Sequence, residues 1–253
     1  MSFRFKQFTV DDSHCAMKVG TDGVLLGAWA MSSVPLAGQA AEPKRILDVG
    51  TGSGVVALML AQRFRSANIT AIDINAEAAA QAAANFASSQ WSERLSSRHL
   101  SLQQLTDLPG EGYDLIVSNP PYFTESLKAP DTNRATARHA DSLPLEQLFR
   151  LSAGMLKPTG RLSIITPAAH CNSLRRLAAS NNLVTTTLCH VFSKEGKPEL
   201  RVLSEFALAS ASGWTSSSEA GGFAIPTEST LFLQNSDGSR TVDYSRLTCD
   251  FYL

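Results

Sequence analysis

A short segment around residue 50 limits the fold of this chain more than any other feature. Residues 45–49 (RILDV) form an apolar run typical of a buried parallel strand, and a glycine-rich turn, GTGSG at 50–54, follows it directly. Further strand-like segments alternate with helical ones along the chain, at 69–73, 95–102, 114–118 and 161–166. This alternation predicts a doubly wound, Rossmann-like α/β fold whose parallel sheet has right-handed crossovers.

The last part of the predicted sheet differs from its centre. Two more strand-like segments, 183–192 and 201–209, lie too close together for a helical crossover and are expected to form an antiparallel hairpin at one edge. The sheet should therefore have seven strands, most of them parallel. We expect a single domain over residues 1–253, in which 1–44 extends across the carboxyl edge of the sheet and 45–253 forms the core.

Composition excludes several classes of protein. A net charge of -1 rules out a polycation, so any nucleic acid would need a local basic patch. No stretch approaches the roughly 20 apolar residues that span a bilayer, and the N-terminus lacks the apolar segment of an export signal, so a cytoplasmic location is expected. The four cysteines form no C-x-x-C pair and are expected to be free thiols. No metal site is expected, because Cys189 and His190 are adjacent on a predicted strand and would point to opposite faces.

The glycine spacing and the acid before it indicate the ligand of the turn. The dinucleotide fingerprint is G-x-G-x-x-G, whereas here Gly50 and Gly52 belong to G-x-G-x-G, and Val55 stands where that fingerprint has its last glycine. The carboxylate of Asp48 disfavours a pyrophosphate but suits a cation such as S-adenosylmethionine (SAM), which carries an ammonium and a sulfonium. Asp73, at the end of the second strand, could bind ribose hydroxyls of either SAM or NAD. SAM is the predicted cofactor, with NAD and a purely structural turn as alternatives.

The sequence SNPPY at 118–122 is the most specific motif for chemistry, because it directly follows a predicted strand. An exocyclic amine on a base is a weak nucleophile, since its lone pair is delocalised into the ring. The side-chain oxygen of Asn119 and the carbonyl oxygen of Pro120 could accept from its two N–H groups and localise that lone pair. Pro121 restricts the backbone, and Tyr122 could stack on the base. The alternative is a proline turn that only ends a strand.

The two motifs occur together with a third feature, the N-terminal segment KVGTDGVLLGAW at 18–29, which is especially characteristic of one family of enzymes. In these three features, and from about Phe3 to the C-terminus, the chain resembles the bacterial tRNA (adenine-37-N6)-methyltransferases that act on a valine tRNA. The resemblance implies a class I SAM-dependent methyltransferase fold and methyl transfer to N6 of adenine 37 in the anticodon loop.

The resemblance also implies roles for individual residues. Thr21 and Asp22 would cover the amino-acid end of SAM, with Asp48 and Gly50 beneath it and Gly52 in the same turn. The ribose would lie against Asp73. The segment from Asn119 to Tyr122 would hold the target adenine, with Phe123 as a second wall, and Asn119 would also border the cofactor. Ser101 stands where the family often has an acid that contacts the adenine amine of SAM.

Two segments could contact RNA phosphates. The first, at 134–141, carries Arg134 and Arg138, and the second, at 193–201, carries Lys194, Lys197 and Arg201. Acidic neighbours leave solvated loop charges as the alternative for both. An anticodon-loop base is already unpaired, so it costs less to flip than a base in a duplex. A modest basic patch would then be enough.

Three other functions stay open from the residues alone. Other NPPY-type methyltransferases modify guanine N2 in rRNA or glutamine N5 in a protein, and the 18–29 segment argues against both. A non-catalytic RNA-binding protein could keep SAM for structure, and the intact motif at 119–122 argues against that. No membrane or protein partner is implied.

Overall fold

The computed structural model of the chain describes residues 2–32, 42–107, 110–121, 143–210 and 225–253. The strands within these ranges are β1 (Ser2–Arg4), β2 (Thr9–Asp11), β3 (Arg45–Val49), β4 (Asn68–Asp73), β5 (Leu95–His99), β6 (Tyr113–Ser118), β7 (Leu156–Pro167), β8 (Leu183–Lys194), β9 (Glu199–Leu208) and β10 (Thr227–Gln234). The helices are α1 (Thr21–Trp29), α2 (Val55–Arg63), α3 (Ala76–Ala87), α4 (Leu102–Thr106), α5 (Leu145–Met155), α6 (Cys171–Ser180) and α7 (Val242–Thr248).

The predicted doubly wound α/β fold is confirmed. Strands β3 to β10 form one sheet in the order β10-β8-β9-β7-β6-β3-β4-β5, and β9 is its antiparallel strand. Helices α1, α2 and α3 contribute to the apolar core on one face, and α4, α5 and α6 contribute to the core on the other. Across the described ranges, no helix combines the length and apolar character needed to cross a bilayer.

The predicted number of strands was wrong by one. The β8–β9 hairpin forms as expected, but it does not lie at the edge, because β10 pairs in parallel with β8 and becomes the outer strand. The sequence of β10, TESTLFLQ, is polar over its first half, and those four residues are exposed. Its pairing is therefore decided by the open edge of β8 rather than by a strong apolar pattern of its own.

The register of the central strands brings three chain segments together at the carboxyl edge. Val49, the last residue of β3, is paired with Ile72 of β4 on one side and with Ser118 of β6 on the other. The residues that follow these three positions are Gly50, Asp73 and Asn119 in the sequence. Since parallel strands lie about 4.8 Å apart, the glycine-rich turn emerges between an acid and the start of the NPPY motif.

Gly54 shows how tightly the turn is joined to the helices behind it. Its φ is 80°, and a Cβ at this position would lie 2.5 Å from Cε1 of Phe86 in α3. Gly54→Ala should therefore lower the free energy of unfolding by about 2–5 kcal/mol, through the left-handed backbone and the steric overlap. Urea denaturation measures this change.

The control is Gly154→Ala in the exposed part of α5, where an added Cβ meets no atom within 4 Å. It should raise the free energy of unfolding by about 0.5–1 kcal/mol, because alanine loses less entropy in a helix. Equal stabilities of the two variants would contradict the role given to Gly54.

Candidate functional site

The glycine-rich turn is closely hydrogen-bonded on its inner side and open on its outer side. Gly50 N and Thr51 N both donate to the carbonyl oxygen of Ile72, at 2.9 and 3.0 Å. Gly50 and Gly52 have φ values of 71° and 56°, and a Cβ on either would have no atom within 4 Å. The backbone of the turn can therefore be approached closely by a ligand from the carboxyl edge.

Asp48 lies buried beneath this turn. Its side chain is 1% exposed, and its Oδ2 accepts a hydrogen bond of 2.6 Å from Thr51 Oγ1. Burial raises the pKa of Asp48 to about 7, and the negative charge of Asp73 acts in the same direction while the Thr51 hydrogen bond opposes it. A cation bound above the turn would favour the ionised form of this acid.

The carboxylate of Asp73, at the end of β4, is held in place by hydrogen bonds from two backbone N–H groups. Its Oδ2 accepts from Gly52 N and its Oδ1 from Asn75 N, both at 2.9 Å. A carboxylate has about four acceptor positions, so Asp73 can take further hydrogen bonds from hydroxyl groups. Beside it, Ile74 is 44% exposed. An acid with spare acceptor positions next to an apolar surface suits a nucleoside. The sequence analysis missed Ile74. Its signal was an apolar residue directly after an acid that ends a strand.

Asn119 lies beside the glycine-rich turn because it directly follows β6, which pairs with β3. The hydroxyl of Ser118 donates to the carbonyl oxygen of Val49 at 2.8 Å, which locks the ends of β6 and β3 together. The next residue on each strand is Asn119 and Gly50 respectively, and Asn119 is half-buried. Pro120 is buried and Pro121 is exposed. Tyr122 and Phe123, predicted to hold the base, lie outside the described residues.

Ser101, just after β5, caps the following helix. It is the N-cap of α4, where its hydroxyl accepts from Gln104 N at 3.2 Å and its own N donates to Gln104 Oε1 at 2.8 Å. This capping box accounts for a serine here without any ligand. A contact between Ser101 and a cofactor stays a prediction.

Residues of α1 and α3 also lie at this edge of the sheet. Thr21 is the exposed first residue of α1, and Asp22 Oδ2 accepts from Arg201 Nε of β9 at 2.9 Å. Asn85 of α3, which the sequence reasoning missed, is 5% exposed and donates to the carbonyl oxygen of Ser53 within the turn. Its signal was a polar residue, one of three in the alanine-rich sequence of α3.

Apart from Arg201, which pairs with Asp22, the predicted RNA-binding residues divide into two groups. Strand β8 runs parallel to β10 and antiparallel to β9, and β9 is antiparallel to β7, so the turn after Lys194 lies at the carboxyl edge. Lys194 and Lys197 are therefore on the same edge as Asn119. Arg134 and Arg138 lie outside the described residues.

The raised pKa of Asp48 predicts a specific dependence of stability on pH. The folded protein retains a proton on Asp48 that the unfolded chain has lost above its ordinary pKa of 3.8, so this residue lowers stability as the pH rises from about 4 to about 7. In Asp48→Asn this loss is absent, and the variant should gain on the order of 4 kcal/mol relative to the wild type across that interval. Urea denaturation at a series of pH values gives the difference.

Two variants of Thr51 serve as the comparison. Thr51→Val removes the hydrogen bond that lowers the pKa of Asp48 and should move the pH interval upwards, whereas Thr51→Ser keeps the hydroxyl. Parallel pH profiles for the wild type and Asp48→Asn would show that Asp48 is ionised throughout.

Comparison with known proteins identifies the family. The family model described as "Methyltransferase small domain" matches residues 35–178. The tRNA1(Val) (adenine(37)-N6)-methyltransferase of Porphyromonas gingivalis strain W83 is 43% identical, covering 99% of this chain and 94% of that protein. The protein of that name in Parabacteroides distasonis is 41% identical, covering 99% and 97%. The chain is thus similar to these proteins over nearly its whole length.

The fold agrees with this result. A crystal structure of a predicted O-methyltransferase from Agrobacterium tumefaciens has a TM-score of 0.66 to this structure at 18% identity, covering 90% of this chain and 96% of that one. At this identity the likeness shows the class I methyltransferase fold and no more. Its sheet, its site and its relatives together show that the chain belongs to the family of the bacterial tRNA1(Val) (adenine(37)-N6)-methyltransferases.

Proposed function

We propose that this protein transfers a methyl group from SAM to N6 of adenine 37 in the anticodon loop of a valine tRNA. The names of its relatives support the reaction and the substrate. The observation that carries the proposal is the register of β3 with β6, which sets Asn119 beside Gly50. A motif suited to an exocyclic amine thereby adjoins a turn suited to a cationic nucleoside.

The residues at the turn fit SAM. The buried Asp48 provides negative charge beneath a turn whose outer side is open at Gly50 and Gly52. Asp73 retains acceptor positions for the ribose hydroxyls, and Thr21 is exposed at the N-terminus of α1, where it would adjoin the amino-acid end. When bound, SAM supplies a methyl group on a positively charged sulfur, which is a good leaving group as a neutral thioether.

The proposed work of the NPPY motif is to orient the acceptor amine. Asn119 Oδ1 and the carbonyl oxygen of Pro120 would accept hydrogen bonds from the two N–H groups, so that the nitrogen lone pair points towards the methyl group. Pro120 is buried, which keeps its carbonyl group in a fixed place relative to β6. Oriented acceptors of this kind stabilise the transition state more than the ground state, because the amine gains positive charge as it reacts. Pro121 would restrict the backbone, and Tyr122 would stack on the adenine.

The anticodon loop would meet the carboxyl edge of the sheet. Lys194 and Lys197 lie on this edge and would contact phosphates, together with Arg134 and Arg138 from the segment after the NPPY motif. A net charge of -1 makes such local contacts necessary, because the whole molecule provides no attraction for RNA.

A methylation assay tests the proposal directly. Purified protein, radiolabelled SAM and an unmodified valine tRNA transcript should give N6-methyladenosine in nucleoside mass spectrometry. A transcript with guanosine at position 37 is the control and should stay unlabelled. N2-methylguanosine from rRNA fragments, or methylated glutamine in a protein substrate, would instead support the other NPPY-type activities.

Asn119→Ala should lower turnover by about 100-fold, because one of two transition-state acceptors is lost. The dissociation constant for SAM should change by less than about twofold, a difference of roughly 0.4 kcal/mol. Single-turnover methylation and calorimetric titration measure the two quantities. The control is Asn172→Ala, an exposed asparagine on α6, which should behave as the wild type. Wild-type turnover in Asn119→Ala would contradict the mechanism.

Lys197→Ala should reduce the salt dependence of tRNA binding, because one phosphate contact is lost. The slope of log K against log salt should become less negative by about 0.7–0.9. Fluorescence anisotropy at several salt concentrations measures it. The control, Arg65→Ala, removes an exposed cation between α2 and the start of β4, at the opposite edge of the sheet. An identical slope for Lys197→Ala and the wild type would remove Lys197 from the RNA surface.

A further inference from the structure

Residues 11–22, which we call the strap, connect β2 to the start of α1. The strap begins beside the glycine-rich turn and ends beside β9, so it extends along the carboxyl edge of the sheet. Each end is held by a polar side chain from another element. The sequence analysis did not single out the first of these side chains, Asn85, and it assigned the second, Arg201, to RNA.

The first contact is made by Asn85 from the buried face of α3. Its Oδ1 accepts from Asp11 N at 3.0 Å, and its Nδ2 donates to the carbonyl oxygens of Asp11 and Ser53, both at 2.8 Å. The amide of Asn85 thus pairs with the backbone of Asp11 on both sides, and it joins that residue to the glycine-rich turn through Ser53. Buried hydrogen bonds of this kind are costly to leave unmade.

The middle of the strap is closed on itself and passes near the proposed ribose acid. Asp12 Oδ2 accepts from Val19 N at 2.9 Å, and its carbonyl oxygen accepts from Lys18 Nζ at 2.7 Å and from Cys15 N at 3.1 Å. Cys15 is 5% exposed. Burial raises the pKa of its thiol, and the negative charge of Asp73 at the end of β4 acts in the same direction.

The second contact is the ion pair of Asp22 with Arg201. The distance from Asp22 Oδ2 to Arg201 Nε is 2.9 Å, and both side chains are 25% exposed. Asp22 belongs to the first turn of α1, directly after Thr21. The pair therefore fixes the N-terminus of α1 relative to the central sheet, through a strand that adjoins β7.

We propose that Asn85 and Arg201 are positioning residues for the cofactor: they hold the strap against the carboxyl edge and so set the affinity for SAM without touching it. This inference rests on the proposed use of SAM. It gives Arg201 a role different from the phosphate contact suggested by its sequence neighbours Lys194 and Lys197. It also explains the choice of residue at Asp22, whose carboxylate is turned to Arg201.

The first test needs no cofactor. Arg201→Gln, Asp22→Asn and Asn85→Ala should each increase the rate of tryptic cleavage after Lys18 and the amide exchange of residues 12–20. Asn85→Ala keeps the helix, because alanine has the highest helix propensity and α3 is already rich in it. The matched control is Arg175→Gln, which breaks the comparable ion pair of Arg175 with Glu228, 3.0 Å long and outside the strap.

The second test measures the consequence for SAM. Calorimetric titration should give a dissociation constant raised about fivefold in Arg201→Gln and Asp22→Asn, the range expected for a partly buried ion pair. The double variant should bind as the single ones do. The exchanged pair, Asp22→Arg with Arg201→Asp, should regain most of the affinity. Turnover of Asn85→Ala at saturating SAM should stay within about twofold of the wild type, which is the readout that separates positioning from catalysis.

Three results would overturn the inference. An unchanged cleavage rate and affinity in folded Arg201→Gln would show that the ion pair holds nothing of consequence. Weak binding in Asp22→Asn that the exchanged pair fails to restore would show that Asp22 contacts SAM directly. A loosened strap with unchanged SAM affinity would show that the strap does not set the affinity for SAM. If the wild type itself bound no SAM, the proposed function would fail, while the cleavage test would still report on the strap.

Discussion

The site depends on the parallel pairing of three strands whose ends coincide. Backbone pairing sets Val49 between Ile72 and Ser118, so every residue that follows these three positions leaves the sheet at one edge. A shift of one residue in either pairing would turn the next side chain to the opposite face. The hydrogen bond from Ser118 Oγ to the carbonyl oxygen of Val49 strengthens the pairing at its last position.

Electrostatics at this edge follow from burial rather than from net charge. The whole chain is almost neutral, yet it keeps Asp48 under the turn at 1% exposure with a raised pKa, close to a second acid, Asp73. Burial, and to a smaller extent the charge of Asp73, disfavours the ionised form of Asp48 in the ligand-free protein. A cation at the turn would favour that ionised form, so the proposed binding of SAM at this turn is consistent with the buried acid, whereas a pyrophosphate is not.

Both ends of the strap, residues 11–22, are attached to other elements by polar contacts between residues that are far apart in sequence. Asn85 pairs with Asp11, and Arg201 with Asp22, so elements from the first half and the second half of the chain define one edge of the site. Such contacts join a segment without a large core of its own to a rigid sheet. They also engage Arg201, one of the cations that the sequence assigned to RNA, in an ion pair with Asp22.

The sequence alone determined the doubly wound fold, the glycine-rich turn, Asp73 and the NPPY motif, because strand and turn patterns are local and the two motifs have distinctive spacing. It did not reveal β10, whose polar first half pairs only because β8 offers an open edge. Nor did it assign Ser101 to a helix cap or Arg201 to Asp22. Those outcomes depend on which elements become neighbours, and that is decided only when the backbone hydrogen bonds and buried side chains of distant segments are satisfied together.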